Sequence, residues 1–179
     1  MLYMVEQTLK PGHPDTHWHQ WVNGMKPPER FMSVPGFRSA QRFKGITNPL
    51  AYCAIYSVAC AEVMTSAAYK GIGGGVHTGK QWTEHIAYWE RDLLDGVAIA
   101  PAVPEGYVLL VKKTSILDFA DAGLPFMHLT AAGLNHQSAT YCGIAVVPEG
   151  EARRHDLKGV RDYRPIATQL LDVASAYCS

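Results

Sequence analysis

The sequence has no excess of charge of either sign: sixteen Lys and Arg balance sixteen Asp and Glu over 179 residues. A chain without a net field is not steered onto nucleic acid or an anionic membrane, so such partners are disfavoured. No run approaches the roughly 18 apolar residues of a membrane span. The first ten residues hold Glu6 in a short apolar stretch, which matches neither a signal peptide nor a transit peptide. Cysteine is scarce: Cys53, Cys60, Cys142 and Cys178 are widely spaced and form no C-x-x-C pair, so no zinc or redox site is expected. Together these absences predict a cytoplasmic protein with reduced thiols. The length suffices to bury roughly 70% of the unfolded surface without staples.

What is present is a succession of short apolar segments. Leu2 to Leu9 reads as a strand ended by Pro11-Gly12. Asp15 or Thr16 can cap a helix whose stripe is Trp18, Trp21, Val22 and Met25. Pro27-Pro28 breaks or restarts it. Strands follow at Phe37 to Lys44 and Leu50 to Val58. Helices are expected from Glu62 to Tyr69 and from Lys80 to Leu94, the latter with a stripe of Trp82, His85, Ile86, Trp89 and Leu93. Further strands are expected at Gly106 to Lys113, Phe126 to Ala132 and Thr140 to Val147, with a helical turn at Ile116 to Ala120 and a late strand or helix at Tyr163 to Leu171.

Leu50-Ala-Tyr-Cys-Ala-Ile-Tyr-Ser-Val58 is echoed by Ala139-Thr-Tyr-Cys-Gly-Ile-Ala-Val-Val147, an offset of 141 minus 52, or 89, which also sets Phe126 on Phe37. The echo predicts a duplication, with a first unit at 1–100 and a second, shortened unit at 101–179 sharing one core. Carried along paired strands, it places Tyr52, Tyr56 and Tyr141 on one sheet face. It also puts His128 in the place of Ser39, beside Gln41. Phenols, an amide and an imidazole among apolar residues make a plausible ligand-pocket wall, and equally a polar core.

The opening strand Tyr3-Met-Val-Glu-Gln-Thr-Leu9, the helix at His17-Trp18-His19-Gln20-Trp21 and the entry Val34-Pro35-Gly36-Phe37-Arg38 resemble the dimeric α+β barrel superfamily and, within it, the EthD-like group. The resemblance covers roughly the first 60 residues. It implies two ferredoxin-like sheets facing each other in a barrel with helices outside. It also implies chemistry of the kind found there: cofactor-free isomerases, lyases, decarboxylases and monooxygenases on aromatic or lactone intermediates, alongside haem-binding branches.

His128 is the preferred acid-base residue, with Tyr141 or Tyr52 holding the oxyanion that develops and His136 as a substitute. A one-residue slip would put His128 outside the pocket. His85 is a second candidate if its stripe reaches the pocket, against a buried neutral histidine as the plain alternative. Tyr52, Tyr56, Gln41, Arg38 and Glu6 are the candidate substrate-binding residues; Arg38, with Arg42, can meet a carboxylate in bidentate fashion. The cluster His13, His17 and His19 has metal-ligand spacing but reads as capping or exposed, and no metal is expected. Gly74-Gly-Val-His-Thr-Gly79-Lys80 spaces like a phosphate loop but has Gln81 where a hydroxyl is required, so it reads as a connector or lid. The run Arg153-Arg-His-Asp, with Arg161 and Arg164, reads as solvated surface.

These readings converge on an α+β protein of tandem ferredoxin-like units. The expected activity is that of a lyase, isomerase or decarboxylase acting without a cofactor on a small aromatic- or lactone-derived organic acid. The alternatives are a module binding haem or a hydrophobic ligand, and a noncatalytic partner protein. A homodimer through exposed edges or helices is expected.

Overall fold

The computed structural model describes residues 1–12, 15–25, 27–74, 80–116, 123–134, 139–152 and 159–172. In chain order the elements are β1 (Leu2–Leu9), α1 (Asp15–Met25), α2 (Pro28–Met32), β2 (Phe37–Gly45), β3 (Ala51–Val58), a 3-10 turn (Ala61–Thr65), α3 (Ala67–Gly71) and α4 (Lys80–Thr83). They continue with β4 (Ile86–Asp95), β5 (Tyr107–Thr114), β6 (Met127–Leu134), β7 (Tyr141–Pro148), α5 (Glu149–Ala152), β8 (Val160–Pro165) and β9 (Leu170–Leu171). Pro28 opens α2 where its missing N–H costs no helix bond. Gly45 ends β2 because a Cβ there would meet the Asn48 carbonyl oxygen at 2.1 Å.

All strand pairs are antiparallel. The first four strands lie in the order β4-β1-β3-β2 and the next four in the order β8-β5-β7-β6, the same pattern twice. β4 then pairs with β6 and β8 with β2, so the fourth strand of each unit joins the second strand of the other and the sheet closes into an eight-stranded barrel. Closure removes the edges that a four-stranded sheet would expose. β9 adds a short pairing to β2 at Ser39 and Ala40. The echo thus falls on equivalent strands, β3 and β7, with Cys53 and Cys142 both inside the barrel.

The barrel interior is filled from both units, by Leu2, Met4, Cys53, Ile55, Leu94, Leu109, Val111, Leu129 and Ile144 among others. Burial of each large apolar side chain contributes about 1.5–3 kcal/mol. One end is plugged by the loop carrying Ala100 and Val103. Gln41 holds that loop with bonds to both the N–H and the carbonyl of Val103, at 3.0 and 2.8 Å, and Ser57 accepts from the Ala100 amide at 2.8 Å. The other end opens into a cleft of ≈ 300 Å³ lined by Glu6, Thr8, Tyr88, Arg161 and Tyr163 among others.

Several expectations are revised. The helix expected from Lys80 to Leu94 is only Lys80–Thr83; from Ile86 the chain is the strand β4, paired along its length with β1. The apolar residues fit both a period of 3.6 and a period of 2. The ambiguity arose because Glu90 and Asp92, which look like solvent-facing residues, are buried inside the barrel. The helix expected from Glu62 to Tyr69 is split into the 3-10 turn and α3, and the late segment is strand from Val160. Cys60 is disulfide-bonded, with a partner outside the described residues, whereas Cys53 and Cys142 are free, so the expectation of four reduced thiols does not hold. The turn at Ile116 to Ala120 lies mostly outside the described residues. The phosphate-loop-like segment at 75–79, His13, His136 and the run 153–156 lie wholly outside them, whereas Arg161, expected on the solvated surface with that run, reaches into the barrel to pair with Glu6 at 2.7 Å.

Candidate active site

On the outer face of the first unit, alternate residues of β2, β3, β1 and β4 stand in rows across the sheet. The central row is Arg42, Ala54, Val5 and Arg91. On one side lies Ala40, Tyr56, Tyr3 and Leu93; on the other, Lys44, Tyr52, Gln7 and Trp89. The small side chains of Ala54 and Val5 leave a depression, and the helices roof it. Trp18 and Val22 of α1, Phe31 of α2 and Tyr69 of α3 close over it. The result is a cavity with an aromatic wall, in which Tyr3 stacks on Tyr56 at 5.6 Å and Tyr69 donates to the Tyr3 hydroxyl at 3.1 Å. Burial pushes the Tyr3 and Tyr56 hydroxyls above the usual phenol range, so both stay protonated near neutrality.

Two features give this cavity chemical capacity. The first is a phenol–imidazole pair: the Tyr52 hydroxyl lies 3.2 Å from His19 Nε2, with the rings edge to face at 5.0 Å. Tyr52 lines the cavity, while His19 borders an adjacent cleft under Pro27 to Glu29, so the pair connects the two spaces. The second is a lining that, among the described residues, holds two arginines and no carboxylate, although Glu29 borders the adjacent cleft and acts electrostatically on Arg42. Arg42 is buried, at 8% exposure, and its partner is the neutral Asn23 Oδ1 at 2.5 Å. Burial lowers the pKa of this guanidinium, which nonetheless stays charged. Arg91 stacks on Trp89, 4.9 Å from the ring centroid. Trp18 Nε1 and Gln7 Oε1 are buried without a hydrogen-bond partner, and both residues line the cavity. A buried unmet donor and acceptor are costly in an empty protein and suit a polar ligand.

The expected site residues divide between two faces. Tyr52 and Tyr56 line the cavity. Gln41 points into the barrel, where its amide is spent on the plug and on the Ala167 carbonyl at 3.0 Å. His128 and Tyr141 lie on neighbouring strands, but His128 is exposed on the outer surface of the second unit, three strands away from Tyr52. The cause is a β-bulge. Phe37 pairs with Val58 and Ser39 with Ser57, so Arg38 is an extra residue in β2. The bulge turns Ser39 inward, while β6, whose own register shift against β4 comes after His128, between Ala131 and Gly133, keeps His128 on the outer face with Phe126. Arg38, in the bulge, is separated from Arg42 and bonds Asp172 through its carbonyl oxygen at 2.8 Å. His85 is an exposed turn residue with its ring against Trp82 at 5.9 Å, not a member of a helical stripe.

Glu6 occupies the barrel interior within an ionic cluster. Lys113 Nζ lies 2.6 Å from Glu6, 2.9 Å from Glu90 and 2.5 Å from Asp92. Arg161 pairs with Glu6 at 2.7 Å, and the Tyr163 hydroxyl donates to Glu6 at 2.8 Å. Burial pushes the Glu6 carboxyl up, but Lys113 and Arg161 outweigh it and hold the group below the ordinary carboxylate range. Asp92 is raised, by burial first and by Glu90 and Glu6, against the pull of Lys113. The three carboxylates approach within 4.8 Å of one another, but the lysine ammonium already fills the space a cation would take.

The sequence reading named His19 only within a histidine cluster and missed it as the partner of Tyr52. A helix and a strand 33 positions apart leave no periodic trace of such a pair. It passed over Arg91 because that residue was assigned to a helix. Lys113 was missed because a lysine near a strand end reads as solvated.

No protein-family model matches the chain, and no curated protein matches it. Solved structures share its fold. An anthrone oxidase-like protein superposes with a TM-score of 0.53 at 8% identity, over 99% of this chain and 96% of the other. A chlorite dismutase-like protein gives 0.51 at 12% identity, over 93% and 95%. The fold is that of the dimeric α+β barrel proteins, formed here by two tandem units in one chain.

Proposed function

We propose that the protein is an acid-base enzyme acting on a small, ring-containing organic acid in the cavity between α1 and the first-unit sheet. The reaction is of the lyase, isomerase or decarboxylase type and calls on no cofactor. The observation that carries this reading is the Tyr52–His19 pair in the wall of a cavity whose described residues include two arginines and no carboxylate. Tyr52 is the residue that meets the substrate. With His19 Nε2 accepting its proton, the phenol oxygen gains basicity and takes a proton from an activated carbon of the substrate. The substrate anion is then reprotonated by the Tyr52 hydroxyl, at the same or a neighbouring carbon, and the imidazolium gives its proton back to the phenolate, while exchange of the shared protons with water in the adjacent cleft lets solvent hydrogen enter the product. The negative charge that develops on a substrate oxygen is met by the buried Arg42 guanidinium and the unmet Trp18 Nε1–H, donors already in place before reaction. The roles first assigned to His128 and Tyr141 pass to His19 and Tyr52, which keep the same chemistry. The fold shared with oxidase-like proteins is compatible with small-molecule catalysis and does not by itself name the reaction.

The test is proton exchange. Ring-containing carboxylic acids with an acidic C–H are incubated with the protein in deuterated water and followed by proton NMR. Wild type washes deuterium into at least one of them, and Tyr52→Phe does not. Equal exchange in wild type and Tyr52→Phe would remove the pair from the mechanism. A Soret band in the purified protein would instead favour the haem-binding alternative.

A further inference from the structure

Lys44 and Tyr52 are direct cross-strand partners on the outer face of β2 and β3, and the Lys44 ammonium lies over the Tyr52 ring, 5.7 Å from its centroid. We propose that Lys44 is a positioning residue for the proton transfer at Tyr52, its ammonium stabilising the phenolate through the face of the ring. The proposal rests on Tyr52 being the residue that meets the substrate, as argued above, and names a group that sets its ionisation.

The need for such a group follows from burial. Tyr52 is 3% exposed and packs among Leu9, Trp18, Val22 and Trp82. Apolar surroundings disfavour the charged form, so a phenol buried there without help keeps its proton and is a poor base. His19 Nε2, 3.2 Å from the hydroxyl, offers a place for that proton. What remains is to stabilise the negative charge left on Tyr52, and the Lys44 ammonium is in place before any proton moves. A cation over an aromatic face is attracted to the neutral ring. On ionisation the phenolate charge spreads from the oxygen into the ring, so the same cation holds the phenolate more tightly than the phenol. That difference is what moves a proton equilibrium.

Strand register sets the arrangement. Pairing of β2 with β3 puts Lys44 opposite Tyr52 and Arg42 opposite Ala54, on the same face two residues apart. Lys44 is half-buried, so solvent screens its charge only in part. Among the described residues, other charged or titratable groups on the elements around Tyr52 are His19 of α1, Arg42 of β2 and Arg91 of β4. His85 lies against Trp82, and Glu29 borders the cleft that His19 also lines and acts on Arg42. Lys44 is the cation that the register holds over the ring itself. A lysine stem also covers apolar surface whatever its charge does, so the test must separate stem from ammonium.

The experiment is a pH titration of the full-length protein carrying tyrosine labelled with carbon-13 at Cζ, read by NMR. Tyr52→Phe identifies the Tyr52 signal among the nine tyrosines. Lys44→Met keeps the stem and removes the charge, and Lys44→Arg restores a cation. An opposite charge close to a titrating group shifts it by roughly one to three units, and partial exposure of Lys44 argues for the lower end. Tyr52 should therefore ionise about one unit higher in Lys44→Met than in wild type, a roughly tenfold loss of phenolate at a given pH. Lys44→Arg should return most of the shift. Circular dichroism confirms that each variant is folded. Proton exchange into the substrate acid, followed against pH, should move by the same amount as the Tyr52 signal. A Tyr52 signal that titrates alike in wild type and Lys44→Met, or stays protonated up to unfolding in both, overturns the proposal. So does a shifted titration with an unmoved exchange profile. If the titration shifts but no ring-containing acid exchanges, the coupling of Lys44 to Tyr52 stands and the proton-transfer reading fails.

Discussion

Lys113 and Glu6 meet at 2.6 Å inside the barrel, one from each ferredoxin-like unit. The division is complete across the cluster: the carboxylates Glu6, Glu90 and Asp92 come from the first unit and the cations Lys113 and Arg161 from the second. A barrel closed by two first-unit sheets would bring carboxylates together, and one closed by two second-unit sheets would bring cations together. The cluster thus favours pairing of unlike units, in a core where apolar residues would be at least as stable.

Replacing Lys113 by Met should be severely destabilising, by about 3–5 kcal/mol, because three buried carboxylates would be left with Arg161 alone. Asp92→Asn should cost far less, since it removes the one carboxylate in excess of the cations and keeps an acceptor for Lys113. Urea unfolding measures both. A Lys113→Met loss no greater than that of Asp92→Asn would show that the cluster is not coupled as described.

Stability should depend on pH with two opposed contributions. The Glu6 carboxyl is held low in the folded protein. Its stabilisation is therefore complete above its unfolded pKa, roughly 4.3, and is lost as the pH falls through the lower folded value. Asp92 is held high, so its contribution is complete below its unfolded pKa, roughly 3.9, and disappears as the pH rises through the raised value. Denaturation midpoints across the acid range should accordingly fall less steeply with acid in Glu6→Gln than in wild type. Asp92→Asn should gain on wild type as neutrality is approached. Shifts of the same sign in both variants would contradict these assignments.

If Tyr52 meets the substrate, Tyr52→Phe should lower kcat by about a hundred- to ten-thousandfold, the usual weight of a positioned acid-base group, with little change in substrate affinity. His128→Ala, at an exposed position, should leave kcat unchanged and alter stability by no more than about 0.5 kcal/mol. Steady-state kinetics on the acid identified by proton exchange decides between the two histidines, because a loss of activity in His128→Ala would restore the site on the second unit.

The disulfide at Cys60 predicts two populations of cysteine. Burial raises the Cys53 and Cys142 thiols well above their ordinary range, so neither should react with a thiol reagent in the native protein. Unfolding without reductant should release two reactive thiols, and reductant should expose the rest. Four reactive thiols on unfolding without reductant would mean that Cys60 is not bonded in solution.

How much was legible in the chain can be judged from particular segments. Strands β1, β3, β5, β6 and β7 were readable as short segments rich in apolar or β-branched residues with Gly, Pro or Asn near at least one end, and β2 from its entry at Pro35-Gly36 and its close at Gly45. The echo at Tyr52-Cys53 and Tyr141-Cys142 marked equivalent strands because duplicated units keep the same inward and outward alternation. β4 was not readable, since Glu90 and Asp92 face inward and their burial is satisfied only by Lys113 and Arg161, which belong to strands far along the chain. The position of His128 was lost to one extra residue, Arg38, which reverses the alternation in β2 and leaves no mark in composition.

The sequence by itself determined the two-unit α+β architecture, the aromatic first helix and the supply of phenols and imidazoles, because these depend on local propensity and on a repeat. Only the tertiary structure decided which face of each strand is enclosed, that His19 meets Tyr52, that Arg42 and Arg91 share a row, and that the barrel core is charged. Those relationships arise from strand pairing, register and bulges between distant segments, and the energy that selects them resides in contacts that no local stretch of sequence contains.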